Sequence, residues 1–347
     1  MPVMPSQQMS VSSANDQPND LRLLRIPSGT YADRVVITWT GTDPNVTNQD
    51  LASYGRIAWS DPPYATWNLV TLETNAGSST QNVARVSFPL FRRAGGGAGE
   101  LIWVWEHLDY ATPGQGNPTR VQSHAIISTT GGVTWGAPTL VLPRSGADTN
   151  FYFFPHGTVD QNDVVWIFAY FRTPTGNDRD LAVRLYDGAW SATAPVVWNT
   201  VDNVQWPIVL STAEGTFGNR VYVAVTRDNL AVDLKLWMVY INGTAIPWSS
   251  TNVPRAAPFI DNCGPGCQLS LDFAGPNGPF ALSASNANYN RRPILNLVET
   301  VEGASHYIWL PYMENNNPYG TPNMWTFYGQ AGDWQARNPL LTKVTAD

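Results

Sequence analysis

The sequence is short of charged residues, and that shortage excludes several classes of partner. Only 14% of its 347 residues are charged, and the net charge at pH 7 is −7. Because an acidic chain repels phosphate groups, we expect neither nucleic acid nor an anionic membrane surface as a partner. The sequence also lacks an apolar run long enough to span a bilayer, which argues against membrane insertion.

Metal ligands and familiar catalytic motifs are scarce as well. The four histidines are scattered along the chain. The sequence contains no G-x-S-x-G, no phosphate-binding loop, no H-E-x-x-H and no EF-hand pattern. We therefore expect no metal and no cofactor.

Cysteine is almost absent from the chain. Its two copies, Cys263 and Cys267, enclose Gly-Pro-Gly, a spacer that can turn the backbone. Since no further metal ligands stand nearby, the pair predicts a small disulfide-closed loop, and two free thiols are the alternative. A disulfide would indicate an oxidising setting, either extracellular or on the surface of a virion or another particle.

The first 20 residues are polar, and they lack the basic start and apolar core of a secretory signal. They predict a flexible arm that precedes one domain formed by residues 21–347. We expect such an arm to tie the chain to a second copy of itself or to a neighbour in a particle.

Turn-forming and aromatic residues are abundant, with 28 Gly, 27 Pro and 15 Trp. They separate short β-branched and aromatic runs, which is typical of strands. Four such runs, called a, b, c and d below, recur in the same order five times. In the second copy they are RVSFPLFRR, LIWVWEHL, SHAIIS and TLVLP. A tryptophan follows strand c in each copy; these are Trp67, Trp135, Trp190, Trp248 and Trp334.

A repeat of this size predicts an all-β protein that forms a single β-propeller of four-stranded blades. The alternatives are a large β-sandwich and a β-helix. An extra hairpin, CQLSLDFA and PFALSASN, follows the fourth copy. Counted as a half blade it favours six blades, whereas five remain if residues near 255–292 are an insertion. The turn-closing tryptophans are expected to pack the blades rather than to bind a ligand.

The loops between strands b and c are the predicted binding face, since a propeller brings them to one mouth. Charged residues recur where these loops follow the apolar strand b. The candidate ligand-binding residues are Asp43, Glu106, Asp109, Tyr110, Arg172, Arg227, Tyr289, Arg291, Arg292, Glu314 and Tyr319. The alternative is that these residues are polar only because strand ends meet water.

The hairpin from Ser128 to Trp135, STTGGVTW, has two glycines at its tip. It resembles the Asp-box, S-x-D-x-G-x-T-W, of the BNR/sialidase β-propellers. Ser128, Gly132, Thr134 and Trp135 match that motif, and Thr130 stands where the aspartate belongs. In other copies the aspartate is displaced, as at Asp61.

A second short motif, Arg25-Ile26-Pro27, resembles the Arg-Ile-Pro of sialidases. The resemblance implies that Arg25 belongs to an arginine triad that grips a substrate carboxylate. It also implies an acid/base aspartate, for which Asp50 is the nearest counterpart and Asp43 the next. The other triad arginines and the tyrosine nucleophile of the family have no assigned counterpart here.

Three functions follow from these patterns. The first is recognition of glycans or another surface ligand through the b–c loops, since sugars bind to aromatic faces and planar polar side chains. The second is hydrolysis by a sialidase-like retaining exo-glycosidase that uses Arg25 and Asp50. The third is a structural or adhesive subunit.

Overall fold

The computed structural model describes residues 19–42, 53–73, 82–93, 97–109, 118–143, 149–173, 179–191, 196–198, 203–212, 220–229, 231–240, 289–293, 298–302, 305–316 and 323–330. The regular secondary structure in these ranges is β-strand, in five antiparallel sheets. No helix in these ranges has the length and hydropathy needed to cross a membrane. The chain divides into two compact units, residues 1–155 with 186–192 and residues 156–185 with 193–347.

The first unit contains two complete four-stranded sheets. Strands of the first sheet are β1 (Asn19–Arg25), β2 (Val35–Thr42), β3 (Ser53–Ser60) and β4 (Asn68–Glu73). Strands of the second sheet are β5 (Asn82–Arg92), β6 (Glu100–Asp109), β7 (Arg120–Ser128) and β8 (Thr139–Leu142). Each sheet follows chain order, so the predicted a-b-c-d sequence of strands is confirmed for both.

A third sheet repeats the order. Its strands are β9 (Phe151–Val159), β10 (Val165–Arg172), β11 (Arg179–Tyr186) and β12 (Val196–Trp198). The boundary between the two compact units falls within β9.

The second unit also contains the fourth and fifth sheets. The fourth comprises β13 (Asn203–Thr212), β14 (Arg220–Asn229) and β15 (Ala231–Tyr240). The fifth comprises β16 (Tyr289–Pro293), β17 (Val298–Glu302), β18 (Ser305–Asn316) and β19 (Asn323–Gln330). β16 and β17 pair with successive parts of β18, and β19 pairs with the other edge of β18.

Strand pairing extends further than the sequence pattern indicated. In the fourth copy, the charges and turn formers of RDNLAVD after strand b predict a b–c loop. In the structure Asn229 pairs with Ala231, so only one residue separates β14 from β15. Residues 289–292 were expected in the extra half repeat, yet they pair with β18 as part of the last sheet. Strand b has a partner on each side, which keeps the polar residues at its end in the hydrogen-bonded ladder.

The hairpin at residues 128–135 has the predicted turn, with φ of 62° at Gly131 and 96° at Gly132. The Ser128 hydroxyl accepts hydrogen bonds from the backbone N–H of Thr130 (3.2 Å) and Gly132 (2.9 Å). The Thr130 hydroxyl accepts one from the Thr134 N–H at 2.8 Å. A threonine oxygen therefore holds this turn at the position where the motif would place an aspartate.

Trp135 is only half-buried, although we expected the turn-closing tryptophans to pack the blades from inside. Its indole N–H donates to the Gly132 carbonyl at 3.0 Å, and its ring packs against core residues of both sheets. The large tryptophans that are fully buried lie on strands of type b instead: Trp103, Trp105 and Trp166. Strand b is central in its sheet and covered on both faces, whereas the turn lies at the rim.

The first two sheets pack face to face through a continuous apolar layer. Ile26, Val36 and Ile57 of the first sheet meet Phe91 and Leu101 of the second. The layer continues at Trp103, Trp105 and Ile126, against which Leu72 of β4 packs. A glycine makes the close approach possible, because a Cβ on Gly55 would lie 1.9 Å from the Trp103 ring.

A buried arginine joins the same two sheets at the end where the a–b and c–d turns lie. The Arg34 guanidinium donates to both carboxylate oxygens of Asp61 at 2.7 Å and to the Gly131 carbonyl at 2.6 Å. It lies over the rings of Trp59 and Tyr31, at 3.8 and 4.4 Å from their centroids. The hydrogen bond from Arg34 holds the pKa of Asp61 below its usual range.

A second arginine, one repeat further along the chain, also pairs with a carboxylate and lies over an aromatic ring. Arg92 donates to Glu100 at 2.8 Å and lies over the Tyr186 ring, 5.3 Å from its centroid. The Tyr186 hydroxyl donates to the other Glu100 oxygen at 3.2 Å. Burial of that phenol, and then the Glu100 charge, raise the pKa of Tyr186.

Gly55→Ala tests the close approach of the first two sheets. The new methyl group must displace Trp103, which is fully buried, so we expect a loss of about 1–3 kcal/mol in the free energy of unfolding. Urea unfolding measures the loss. Gly97→Ala is the matched control, because its Cβ would meet its nearest neighbour at an ordinary 3.5 Å. Equal stability of the two variants would contradict this packing.

Arg34→Met tests the buried arginine. The variant leaves the Gly131 carbonyl and the Asp61 carboxylate without their donor, so we expect it to cost about 2–4 kcal/mol of unfolding free energy. Arg25→Met is the control, since Arg25 and its partner Asp33 are 64% and 52% exposed and such pairs contribute less than about 1 kcal/mol. Thermal or urea unfolding ranks the two, and the reverse order would refute the assignment.

Candidate functional site

The second sheet brings polar side chains together at its b–c end, the end from which the loop between β6 and β7 leaves. Alternate residues of a strand share a face, so Trp103, Trp105, His107 and Asp109 of β6 line one face of the sheet. Their register partners on β7 are, in the same order, Ile126, His124, Gln122 and Arg120. The face therefore changes from apolar to polar as it approaches the b–c end.

His107, Asp109, Gln122 and His124 form what we call the imidazole cluster. His107 Nε2 lies 3.0 Å from Asp109 Oδ1, and His124 Nε2 lies 3.3 Å from Gln122 Oε1. The two imidazole rings are tilted against each other with centroids 4.8 Å apart. The cluster is a compact set of planar polar groups held side by side on two paired strands.

Aromatic rings support the cluster from the interior side. The Trp105 ring lies 5.5 Å from the His124 ring, and Trp103 stacks on Trp105 at 4.4 Å with an interplanar angle of 18°. Both tryptophans are fully buried. Because they are fixed between two sheets, the imidazoles that continue the row have little freedom to move.

Solvent reaches the cluster through Asp109 and its neighbour across the strands, Arg120. The Asp109 side chain is 27% exposed and the His107 side chain 10%. Arg120 is exposed. Thr119 closes the loop by donating its backbone N–H and its hydroxyl to the Asp109 carbonyl, at 2.7 and 3.1 Å. A ligand at this end therefore meets a carboxylate and a guanidinium first.

The protonation states of the cluster follow from its contacts. The hydrogen bond from His107 lowers the pKa of Asp109, and the charge of Arg120 lowers it further. Burial lowers the pKa of His124 to about 4, and the neighbouring His107 adds to that effect. At neutral pH the cluster thus contains an ionised Asp109 and an uncharged His124.

His124 makes the free energy of unfolding depend on pH between about 6.5 and 4. The unfolded chain protonates this histidine near pH 6.5, whereas the folded protein does so near pH 4. As the pH falls between these values the unfolded state gains protons first, so His124 should cost about 3 kcal/mol of unfolding free energy by pH 4. Above pH 6.5 it costs nothing.

His124→Gln should flatten this part of the stability profile, because glutamine cannot take up a proton in either state. Urea unfolding of wild type and variant at intervals from pH 7.5 to 4 makes the comparison. Asp109 responds at lower pH, since its folded pKa is depressed and its contribution is lost as the carboxylate protonates. Parallel profiles for the two proteins would show that His124 titrates normally in the folded state.

Glu106, another predicted site residue, points to the opposite face of β6 from the imidazole cluster. It is fully buried, and its Oε2 accepts a hydrogen bond from the backbone N–H of Phe154 at 2.6 Å. Phe154 has a φ of 50°, a conformation that non-glycine residues rarely adopt. The carboxylate holds this bend at the start of β9, away from the solvent where a ligand would enter.

Arg25 lies at the other end of its sheet. It is the last residue of β1, opposite Val35 at the start of β2, and therefore lies next to the a–b turn. Its guanidinium pairs with Asp33 of that turn. The b–c loop of this sheet follows Thr42, at the far end of β2 from Val35. Asp43 and Asp50 lie outside the described residues.

Other predicted site residues lie at b–c ends within the second unit. Arg172 is the last residue of β10. Arg227 of β14 pairs with Val204 and Asp233, and Arg291 of β16 pairs with Glu314 of β18. Two further members of β16 pair with β18 in the same ladder: Tyr289 and Arg292. The remaining predicted residues lie outside the described part of the chain: Tyr110, Tyr319, Cys263 and Cys267.

Sequence reasoning missed three of the four residues of the cluster. His107, Gln122 and His124 were not among the predicted site residues, nor was the neighbouring Arg120, although they occupy alternate positions along VWEHLD and RVQSH. The sequence shows this alternation, but it does not show the pairing register that places β6 and β7 side by side. In the described residues, no group of three or more His, Cys, Asp or Glu side chains has the geometry to hold a metal ion.

No protein-family model matches the chain, and no curated protein matches it in sequence. Solved structures with a similar fold include the Trypanosoma rangeli sialidase in complex with sialic acid. Its TM-score is 0.53 at 11% identity, with 91% of this chain covered and 48% of that one. For the NanB sialidase of Streptococcus pneumoniae the TM-score is 0.52 at 9% identity, with 95% of this chain covered and 62% of that one. For the Hadza microbial sialidase Hz136 the TM-score is 0.54 at 11% identity, with 94% of this chain covered and 59% of that one.

The fold is that of a β-propeller. At these identities the similarity concerns the fold alone, and the chain spans about half to three fifths of the length of these sialidases. The predicted all-β class and four-stranded sheets are confirmed. The number of blades, six or five, stays a prediction.

Proposed function

We propose that this propeller binds glycans at the b–c ends of its sheets. The observation that carries the proposal is the imidazole cluster, which sets an ionised carboxylate beside imidazole and amide groups at a partly open sheet end. Planar polar groups in fixed positions are what recognition of sugar hydroxyls requires. The fold shared with sialidases supports a glycan as the ligand.

The cluster can bind sugar hydroxyls without rearrangement. Asp109 accepts hydrogen bonds, Arg120 donates them, and His107 keeps the carboxylate ionised and in place. The side chains sit on paired strands rather than on a flexible loop, and the buried tryptophans support them from the interior. Such preorganisation lowers the entropy lost on binding.

A second candidate function is hydrolysis of a sialic acid glycoside, and the fold similarity to sialidases favours it. In that function Asp50 would be the general acid and Arg25 would hold the substrate carboxylate. Tyr312 and Tyr319 would be the candidates for the nucleophile. Arg25 lies at the a–b end of its sheet, opposite Val35, and its guanidinium pairs with Asp33, which supports binding as the preferred function.

The proposed setting is extracellular or on a particle surface. It depends on the predicted disulfide between Cys263 and Cys267. Residues 1–20 would tie the propeller to a second copy or to a neighbouring subunit of a particle. A structural or adhesive role is compatible with glycan binding, because an adhesive subunit needs a ligand on the opposing surface.

The test is retention of the purified protein on immobilised glycans. We expect wild type to be retained on at least one glycan, and Asp109→Ala to reduce its apparent affinity about tenfold or more, as loss of a charged hydrogen-bond acceptor does. Arg25→Ala is the matched control at the other end of its sheet and should bind like wild type. Failure of wild type to bind any glycan would contradict the proposal.

The same preparation tests hydrolysis. An activated sialoside is incubated with wild type and with Asp50→Asn, and the released chromophore is followed. Removal of a positioned general acid lowers a rate by about 10²–10⁴. We expect no turnover by wild type. Turnover that depends on Asp50 would establish the second candidate function instead.

A further inference from the structure

Five ionisable side chains of β6 and β7 are described near the b–c end of the second sheet. They are Glu106, His107, Asp109, Arg120 and His124. Glu106 is buried on the opposite face and bonded to the Phe154 N–H, so it does not reach a ligand. Burial keeps His124 uncharged at neutral pH. The charged groups nearest to solvent are the Asp109 carboxylate, whose side chain is 27% exposed, and, directly across the strands, the exposed Arg120 guanidinium.

We propose that this end of the sheet binds a neutral sugar through two adjacent hydroxyl groups and discriminates against an acidic sugar. The proposal rests on the proposed function and specifies its ligand class. One hydroxyl donates to Asp109, and its neighbour accepts from Arg120. The two residues are register partners on adjacent strands, so their side chains leave the sheet a few ångströms apart, which is the scale of a vicinal diol.

The hydrogen bond within the cluster leaves Asp109 suited to this role. His107 Nε2 lies 3.0 Å from Oδ1, and none of the described residues donates a hydrogen bond to Oδ2. A partly exposed carboxylate with one oxygen anchored is an oriented acceptor. Since the anchoring group is a buried imidazole, the orientation is kept when the ligand leaves.

Electrostatics disfavour an acidic sugar at the same place. A sugar carboxylate near Asp109 would meet a like charge in a partly buried site, where water screens the repulsion poorly. Arg120 cannot compensate fully, because its charge already interacts with Asp109. The sequence motif would assign Arg25 to a ligand carboxylate. Arg25 is instead paired with Asp33, at the a–b end of the first sheet.

The experiment uses one glycoprotein in two states, immobilised with its terminal sialic acids and after their enzymatic removal. The removal exposes neutral terminal sugars on the same scaffold. Wild type should be retained at least about tenfold more strongly on the desialylated surface. Asp109→Asn keeps the size of the side chain and removes its charge, so it should bind the desialylated surface about tenfold more weakly and the sialylated surface more strongly than wild type does.

Asp33→Asn is the matched control, because it makes the same chemical change at an exposed carboxylate near the a–b turn. It should behave like wild type on both surfaces, and thermal unfolding should show that both variants are folded. Stronger retention of wild type on the sialylated surface would overturn this inference and leave glycan binding intact. Equal retention of Asp109→Asn and Asp33→Asn would also overturn the inference and leave glycan binding intact. Retention on neither surface would overturn the proposed function together with the inference.

Discussion

The contact between Gly55 and Trp103 sets the distance between the first two sheets, and the remaining packing depends on that distance. A glycine in β3 lets the indole lie against the backbone of the neighbouring sheet. The same indole stacks on Trp105, and Trp105 lies beside His124. The position of the polar cluster at the b–c end is therefore tied to a close approach made deep in the core.

Charged side chains lie at both ends of these sheets, but their surroundings differ. At the a–b end, Arg34 satisfies its donors on Asp61 and Gly131 and is covered by aromatic rings, so its charge is used within the protein. At the b–c end, the Asp109 carboxylate is anchored on one side and partly open to solvent. The charge pairs at the a–b end are used within the protein, whereas Asp109 at the b–c end is 27% exposed and lies across the strands from Arg120.

Much of the architecture could be predicted from local patterns. Short apolar runs bounded by Gly and Pro identified the strands, and their repetition indicated four-stranded sheets in chain order. The loops were less predictable. RDNLAVD contains turn formers and charges, yet three residue pairs within it, from Arg227–Asp233 to Asn229–Ala231, belong to the ladder between β14 and β15. Charge near a strand end indicates exposure of a side chain and leaves the hydrogen bonding of its backbone undetermined.

The sequence by itself determined which residues alternate and where glycine turns are needed, because both depend on neighbours in the chain. It placed Asp109 near a b–c end, and it placed Glu106 there too. Only the tertiary structure decided what each face of β6 meets, with Glu106 buried against Phe154 and Asp109 partly exposed across from Arg120. The reason is physical: the face that a strand residue occupies depends on which sheet packs against it, and that partner is distant in the chain.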